Sequence, residues 1–91
     1  MSAHQSRATV CNARGLHARA AAKFVETASR FDARVRVCKD GECVDADSIM
    51  ELLMLAADQG SELTINAEGA EAEKAAAELA RLVEAGFFEG D

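Results

Sequence analysis

The sequence predicts an α/β (α+β) fold, an open-faced two-layer sandwich with helices on one face of an antiparallel sheet. Apolar and polar residues alternate in Arg34–Lys39 and again in residues 62–67, as expected of half-buried strands. Residues 18–31 and 72–83 instead repeat apolar residues at helical spacing. Strands with one polar face favour an antiparallel sheet that is open to water on that face.

The predicted elements follow the order β-α-β-β-α-β-α along the chain. A first strand is expected over residues 7–11 and the first helix over residues 18–31. Strands over Arg34–Lys39 and Glu42–Asp45 are separated by Asp40-Gly41. This dipeptide predicts a hairpin turn, because both residues tolerate positive φ.

A short second helix is expected to begin at Ser48 and to end before Gly60. Ser48 and Glu51 have the spacing of a capping box, in which the serine caps the first turn and the glutamate reaches back. A strand over residues 62–67 follows and is interrupted by Gly69. The last helix carries its apolar residues from Ala72 onward and is predicted to close near Gly86.

Length, charge and hydropathy restrict the classes of function. The 91 residues are expected to form a single domain, 1–91. A net charge of -6 argues against nucleic acid as a partner, because binding a phosphate backbone requires a basic face. No apolar stretch approaches the roughly 20 residues of a membrane span. The first ten residues lack the apolar core of a signal peptide, so a cytoplasmic location without membrane insertion is expected.

The three cysteines, Cys11, Cys38 and Cys43, are predicted to be reduced thiols that occupy strand positions. Their odd number and a reducing compartment argue against a disulfide framework. Free cysteine commonly packs as a small apolar side chain. A zinc half-site at Cys38 and Cys43 would lack a second pair of ligands nearby, so neither a metal nor a cofactor is expected.

His17 lies where a glycine-led turn enters the first predicted helix, and Arg19 follows two residues later. A helix N-terminus presents free N–H groups and a partial positive charge, which attract anions and keep an imidazole neutral. A neutral ring nitrogen of His17 could therefore accept a phosphoryl group, whose oxygens the amides of Ala18 and Arg19 would hold. The guanidinium of Arg19 adds a forked donor suited to phosphate. The alternative is that His17 only caps the helix. The other histidine, His4, is expected to be incidental in an unstructured N-terminal segment.

Three stretches carry a resemblance to a known family: GLHARAAAKFVETASRFDA, SIMELLMLAADQGSELTI and AEGAEAEKAAAEL. They resemble the histidine-containing phosphocarrier (HPr) family of the phosphotransferase system, and the likeness runs from about Arg7 to Val83. The resemblance implies a sheet of strand order 1-4-2-3 with three helices. It also implies a monomeric phosphocarrier, not an enzyme with its own turnover. Such a protein receives phosphate from enzyme I and passes it to an enzyme IIA-type acceptor.

The resemblance also assigns roles to individual residues. It implies that His17 is phosphorylated and that Arg19 steers the phosphate. Ser48 corresponds to a regulatory serine that an ATP-dependent kinase, HPr kinase/phosphorylase, modifies in many relatives. The family's apolar docking patch corresponds to Ile49, Met50 and Leu53.

Two departures from the family pattern bear on these roles. Ala20 stands where the family usually has proline, and Asp47 adds negative charge beside Ser48 where relatives often have a basic residue. Two other functions stay open from the sequence. One is an acyl carrier-like protein that uses Ser48 in the Asp47-Ser48-Ile49 stretch, in an all-helical fold. The other is a binding-only regulator with the HPr fold. A sugar-uptake branch and a nitrogen-related branch are equally compatible with the sequence.

Overall fold

The computed structural model describes residues 3–89, and its elements follow the predicted order. The strands are β1 (Ala3–Thr9), β2 (Arg34–Lys39), β3 (Glu42–Asp45) and β4 (Glu62–Glu68). The helices are α1 (Ala18–Ala28), α2 (Ile49–Met54) and α3 (Ala72–Glu84), and a 3-10 turn over Gly86–Phe88 follows α3.

The strands form one sheet in the order β1-β4-β2-β3, with every neighbouring pair antiparallel. The central strands alternate as predicted: in β2, Val35 and Val37 are buried, whereas Arg34 and Arg36 are exposed. In β4, Leu63 and Ile65 are buried in the same way. The open-faced sandwich and its strand order are confirmed.

One hydrophobic core joins the buried face of the sheet to the three helices. Phe24 of α1, Leu52 of α2 and Leu79 of α3 are completely buried in it. Burial of each such side chain stabilises the fold by about 1.5–3 kcal/mol, before conformational entropy is counted. Within residues 3–89, none of the helices is both long enough and apolar enough to cross a membrane.

The first strand begins earlier than the sequence pattern predicted. It covers Ala3–Thr9, not residues 7–11, and pairs along its whole length with β4. His4 therefore lies in a strand, opposite Ala67, and the expectation of an unstructured segment was wrong. Only Ala8 of this strand is buried. Backbone hydrogen bonds to β4 hold β1 in place. Because such bonds do not depend on the side chains, the sequence of β1 need not alternate between apolar and polar residues.

The first helix ends at Ala28, three residues before the predicted end at Phe31. The N–H of Arg30 bonds to the carbonyl of Thr27, and the N–H of Phe31 bonds to that of Ala28. These shorter-range bonds tighten the chain into a turn. Phe31 still packs against the core from that turn, which explains why its spacing extended the helical pattern.

Cys38 and Cys43 are joined by a disulfide, which contradicts the prediction of three reduced thiols. The two residues lie directly opposite each other in the β2–β3 hairpin, with Cα atoms 4.0 Å apart. The predicted Asp40-Gly41 turn already implied that Cys38 and Cys43 lie opposite each other, because a two-residue loop sets the register of its strands. Cys11 is a free thiol, as predicted, but it is exposed and follows the end of β1 instead of occupying a strand position. Its Sγ lies 3.2 Å from the carbonyl oxygen of Glu84.

Candidate functional site

His17 is the N-cap residue of α1, and its side chain is 23% exposed. Its backbone is extended, and its carbonyl oxygen accepts the N–H of Ala21 at 2.8 Å. The ring nitrogen Nδ1 accepts a long hydrogen bond, 3.3 Å, from the N–H of Arg19. The prediction that His17 caps the helix is therefore confirmed. It is compatible with chemistry at the ring, because the cap places Nδ1 at the free N–H groups of the helix.

The turn before α1 brings His17 to this position. Gly15 has φ +66°, and its N–H donates to the carbonyl oxygen of Asn12 at 3.1 Å. A Cβ atom at Gly15 would collide with the carbonyl oxygen of Ala57. A residue with a side chain would therefore be strained by its φ and would also have to displace the neighbouring backbone. Glycine is required here by both conditions.

Glu89 contacts the second ring nitrogen of His17, the one that does not face the N–H of Arg19. Its Oε2 lies in hydrogen-bonding contact with His17 Nε2, and its Oε1 accepts a 2.9 Å bond from Asn12 Nδ2. Asn12 is 3% exposed and also donates to the carbonyl oxygen of Gly15 at 2.8 Å. Because Nδ1 is an acceptor, the proton of the neutral ring resides on Nε2, which donates it to Glu89. The sequence patterns did not identify Glu89, which is 72 residues from His17.

The turn after α3 fixes the position of Glu89. Phe87, two residues before Glu89, is completely buried in the core. The Nζ of Lys23, on α1, donates a 2.7 Å hydrogen bond to the carbonyl oxygen of Phe87. The segment that carries Glu89 is thus anchored both by an apolar side chain and by a charged hydrogen bond.

Positive charge collects beside the ring although the chain is acidic overall. A recess of about 320 Å³ is lined by Arg14, Arg19, Lys23, Phe88 and Glu89. Arg19 was predicted as a site residue because it follows His17 by two residues in the sequence. Arg14 and Lys23 were not predicted as site residues. Lys23 follows Arg19 by four residues on α1, and this spacing places both on one helix face. Helical periodicity could therefore have identified Lys23.

The two backbone amides proposed from the sequence lie at the start of α1. Ala18 is the first residue of the helix, and the N–H of Arg19 is directed at Nδ1 of His17. An oxygen bound at Nδ1 would lie within reach of the N–H of Arg19. The sequence-predicted residues His17, Ala18 and Arg19 are thus brought together at one helix end.

Ser48 is the N-cap residue of α2 and is half-buried. Its Oγ accepts the N–H of Glu51 at 3.2 Å, which confirms the first half of the predicted capping box. The second half, in which the Glu51 carboxylate reaches back to the N-cap residue, was wrong. The carboxylate of Glu51 accepts the N–H of Asp45 at 3.3 Å, and so ties the helix to the end of β3.

The predicted docking residues lie on α2, which packs against α1. Ile49 is 38% exposed and Met50 is 69% exposed, as a docking surface requires, whereas Leu53 is half-buried against the core. Two further apolar side chains are exposed, Met54 and Phe88, and the sequence pattern did not indicate either of them. Phe88 lines the basic recess.

Comparison with known proteins gives consistent matches along nearly the whole chain. The family model described as the PTS HPr component phosphorylation site matches residues 4–85. A phosphocarrier protein HPr from Pseudomonas aeruginosa is 46% identical over 84 residues, which cover 91% of this chain and 93% of that protein. A phosphocarrier protein NPr from Shewanella violacea is 38% identical over 93% of each chain.

Solved structures agree with these sequence matches. The crystal structure of an HPr from Thermoanaerobacter tengcongensis superposes with a TM-score of 0.89 at 41% identity. That likeness covers 94% of this chain and 97% of the other. The span matched by the family model includes His17, Arg19 and Ser48 and ends before Glu89.

Proposed function

Since this chain belongs to the HPr family of phosphocarriers of the phosphotransferase system, we propose that it carries a phosphoryl group on Nδ1 of His17. The observation that carries the proposal is the hydrogen bonding of the ring. Nδ1 is the unprotonated nitrogen, and it lies at the N-terminus of α1. Its bond to the N–H of Arg19 is long, 3.3 Å, and therefore weak enough to be replaced.

In the proposed step, the lone pair of Nδ1 forms a bond to phosphorus as the bond between phosphorus and the donor breaks. The electron pair of the broken bond stays on the donor. The N–H of Arg19 then exchanges Nδ1 for a phosphoryl oxygen, and the N–H of Ala18 is available to a second oxygen. Catalysis of phosphoryl transfer rests mainly on positioning and charge stabilisation, which the helix terminus and the Arg19 guanidinium supply. The chain acts as a covalent relay, with no substrate turnover of its own.

The proposed partners are enzyme I as donor and an enzyme IIA-type protein as acceptor, in the cytoplasm. Their docking surface would be on α2, at the exposed Ile49 and Met50 and the half-buried Leu53. Ser48 would be the site for a regulatory kinase at the edge of that surface. Relatives named HPr and NPr both match this chain, and the proposal therefore includes either a sugar-uptake or a nitrogen-related branch.

The direct test is incubation with enzyme I and phosphoenolpyruvate, followed by mass spectrometry of acid-labile phosphate. One phosphoryl group is expected on His17, and none on the His17→Ala variant. His4→Ala is the matched control, because His4 lies in β1, opposite Ala67 of β4, and is not part of the α1 terminus. This variant should be phosphorylated normally. Phosphate at another residue, or normal uptake by His17→Ala, would refute the relay.

The two alternatives are distinguished by the same experiment and by the fold. A binding-only regulator would take up no phosphate from enzyme I at His17. The acyl carrier alternative is disfavoured by the fold, because it requires an all-helical chain and this chain forms a four-stranded sheet.

A further inference from the structure

Glu89 lies against the His17 ring on the side opposite to the nitrogen that faces α1. We propose that Glu89 is a positioning residue: its carboxylate keeps the proton of His17 on Nε2, so that Nδ1 is always the nitrogen available to phosphorus. This inference rests on the proposed function for its consequence in phosphoryl transfer. The effect on the ring itself is independent of any phosphoryl donor.

The carboxylate is held firmly enough to act in this way. It is 12% exposed, and Asn12 donates to Oε1 while Oε2 faces the ring. Asn12 is buried, and among the described residues its Oδ1 has no hydrogen-bond partner. A buried acceptor without a partner costs free energy. Asn12 is thus oriented by its two donated bonds, to Glu89 and to the carbonyl of Gly15.

Asn12 also connects the two sides of the site. The loop that delivers His17 contains both Asn12 and Gly15, and the turn that delivers Glu89 is anchored by the buried Phe87. The ring is therefore held at Nδ1 by the first turn of α1 and at Nε2 by Glu89, just after the turn that follows α3. Rotation of the ring would break both contacts.

The chemical consequence concerns the charge on the ring. When Nδ1 bonds to phosphorus and Nε2 keeps its proton, the ring becomes a phosphorylated imidazolium with one positive charge. The Glu89 carboxylate offsets that charge in a site that is mostly shielded from water. When phosphate moves on to the acceptor, the bonding pair returns to Nδ1 and the ring leaves as neutral imidazole. Without the Nε2 proton it would leave as an anion, which is a far poorer leaving group.

A glutamine at position 89 gives a sharp test of this role. If the amide oxygen of Glu89→Gln accepts the Asn12 bond, its NH₂ group faces Nε2 and requires that nitrogen to be unprotonated. The Glu89→Ala variant removes the contact without replacing it. Glu84→Gln is the control, because it makes the same charge change at an exposed residue at the end of α3.

The first measurement is ¹⁵N NMR of the two histidine rings above the pH at which they are protonated, with His4 as internal reference. In the natural protein His17 should show an unprotonated Nδ1 and a protonated Nε2. Glu89→Gln and Glu89→Ala should show a mixture of tautomers or the reverse one, while Glu84→Gln should match the natural protein. Unchanged His17 resonances in both Glu89 variants would overturn the proposal.

The second measurement is the rate of phosphate uptake from phosphorylated enzyme I. Loss of one charge-assisted hydrogen bond predicts a rate lower by about tenfold or more in both Glu89 variants. A lower melting temperature with unchanged tautomer and rate would show that Glu89 is only structural, and would also overturn the proposal. If the natural protein itself takes up no phosphate, the proposed function fails, and the ring resonances alone decide the role of Glu89.

Discussion

The backbone N–H of Leu16 donates a 2.8 Å hydrogen bond to the carbonyl oxygen of Ala57. This bond joins the turn before α1 to the segment that follows α2. It thereby couples the residue that precedes His17 to the helix that carries the proposed docking surface. Gly15 lies against the same carbonyl oxygen, so the close approach of the two segments depends on the absence of a side chain there.

Replacing Gly15 by alanine is expected to lower the free energy of unfolding by more than the cost of its φ alone. Gly41→Ala is the matched control, since Gly41 also has a positive φ, +87°, but its Cβ would meet nothing within 4 Å. The control should lose about 1–3 kcal/mol from backbone strain, and Gly15→Ala clearly more. Urea unfolding of both variants measures the difference. Equal losses would mean that the Ala57 backbone moves aside freely.

Replacing Arg19 by alanine is expected to slow phosphoryl transfer through His17 without abolishing it. A hydrogen bond from a charged donor contributes about 1.5–3 kcal/mol, which corresponds to a rate lower by roughly 10- to 150-fold. Arg30→Ala is the control, because Arg30 lies beyond the other end of α1 and pairs with Glu26. Stopped-flow or quenched-flow transfer from phosphorylated enzyme I measures both rates. Equal rates for the two variants would show that Arg19 is only solvated.

Phosphorylation of Ser48 is expected to weaken docking and to leave the fold nearly unchanged. A phosphate at this N-cap faces free N–H groups of α2, which stabilises it, whereas the carboxylates of Asp45, Asp47 and Glu51 repel it. These effects oppose each other, so the melting temperature should move by only about a few degrees. The exposed Met50, by contrast, must lose water against a partner, and a nearby phosphate resists that desolvation.

The effect of Ser48 phosphorylation on docking is tested by titrating enzyme I with the phosphorylated protein and with Ser48→Asp, and measuring the binding affinity. Ser48→Asn is the control, because asparagine is also a good N-cap and brings no charge. Binding should weaken severalfold for the phosphorylated protein, less for Ser48→Asp, and little for Ser48→Asn. A phosphorylated protein that accepts phosphate at His17 as fast as the unmodified one would contradict the docking argument.

Reduction of the Cys38–Cys43 disulfide is expected to lower the free energy of unfolding by about 2 kcal/mol, the value for a loop this short in the chain-entropy model. Thermal melts with and without a thiol reductant measure the change. Cys38→Ser should show the loss without any response to reductant. Cys11→Ser should respond to reductant like the natural protein, because Cys11 is not in the disulfide. A melting temperature insensitive to reductant in the natural protein would indicate that the bond is not formed in solution.

Local patterns in the sequence determined most of the fold and the part of the candidate site that lies at the start of α1. Strands β2 and β3 were predicted at their observed bounds, because alternation records which side of a strand is buried and Asp40-Gly41 specifies the turn. His17 and Arg19 were identified because a helix start and a two-residue spacing are both visible in a few letters. Ser48 was identified by the same logic of helix capping.

The tertiary structure decided the features that depend on residues far apart in the chain. β1 is held by backbone pairing with β4, which is indifferent to side-chain pattern, and so its start could not be predicted from hydropathy. Glu89 meets His17 because the buried Phe87 and the bond from Lys23 hold the turn after α3 against α1. A contact between side chains 72 residues apart produces no periodic pattern in the sequence, because it results from the packing of whole elements.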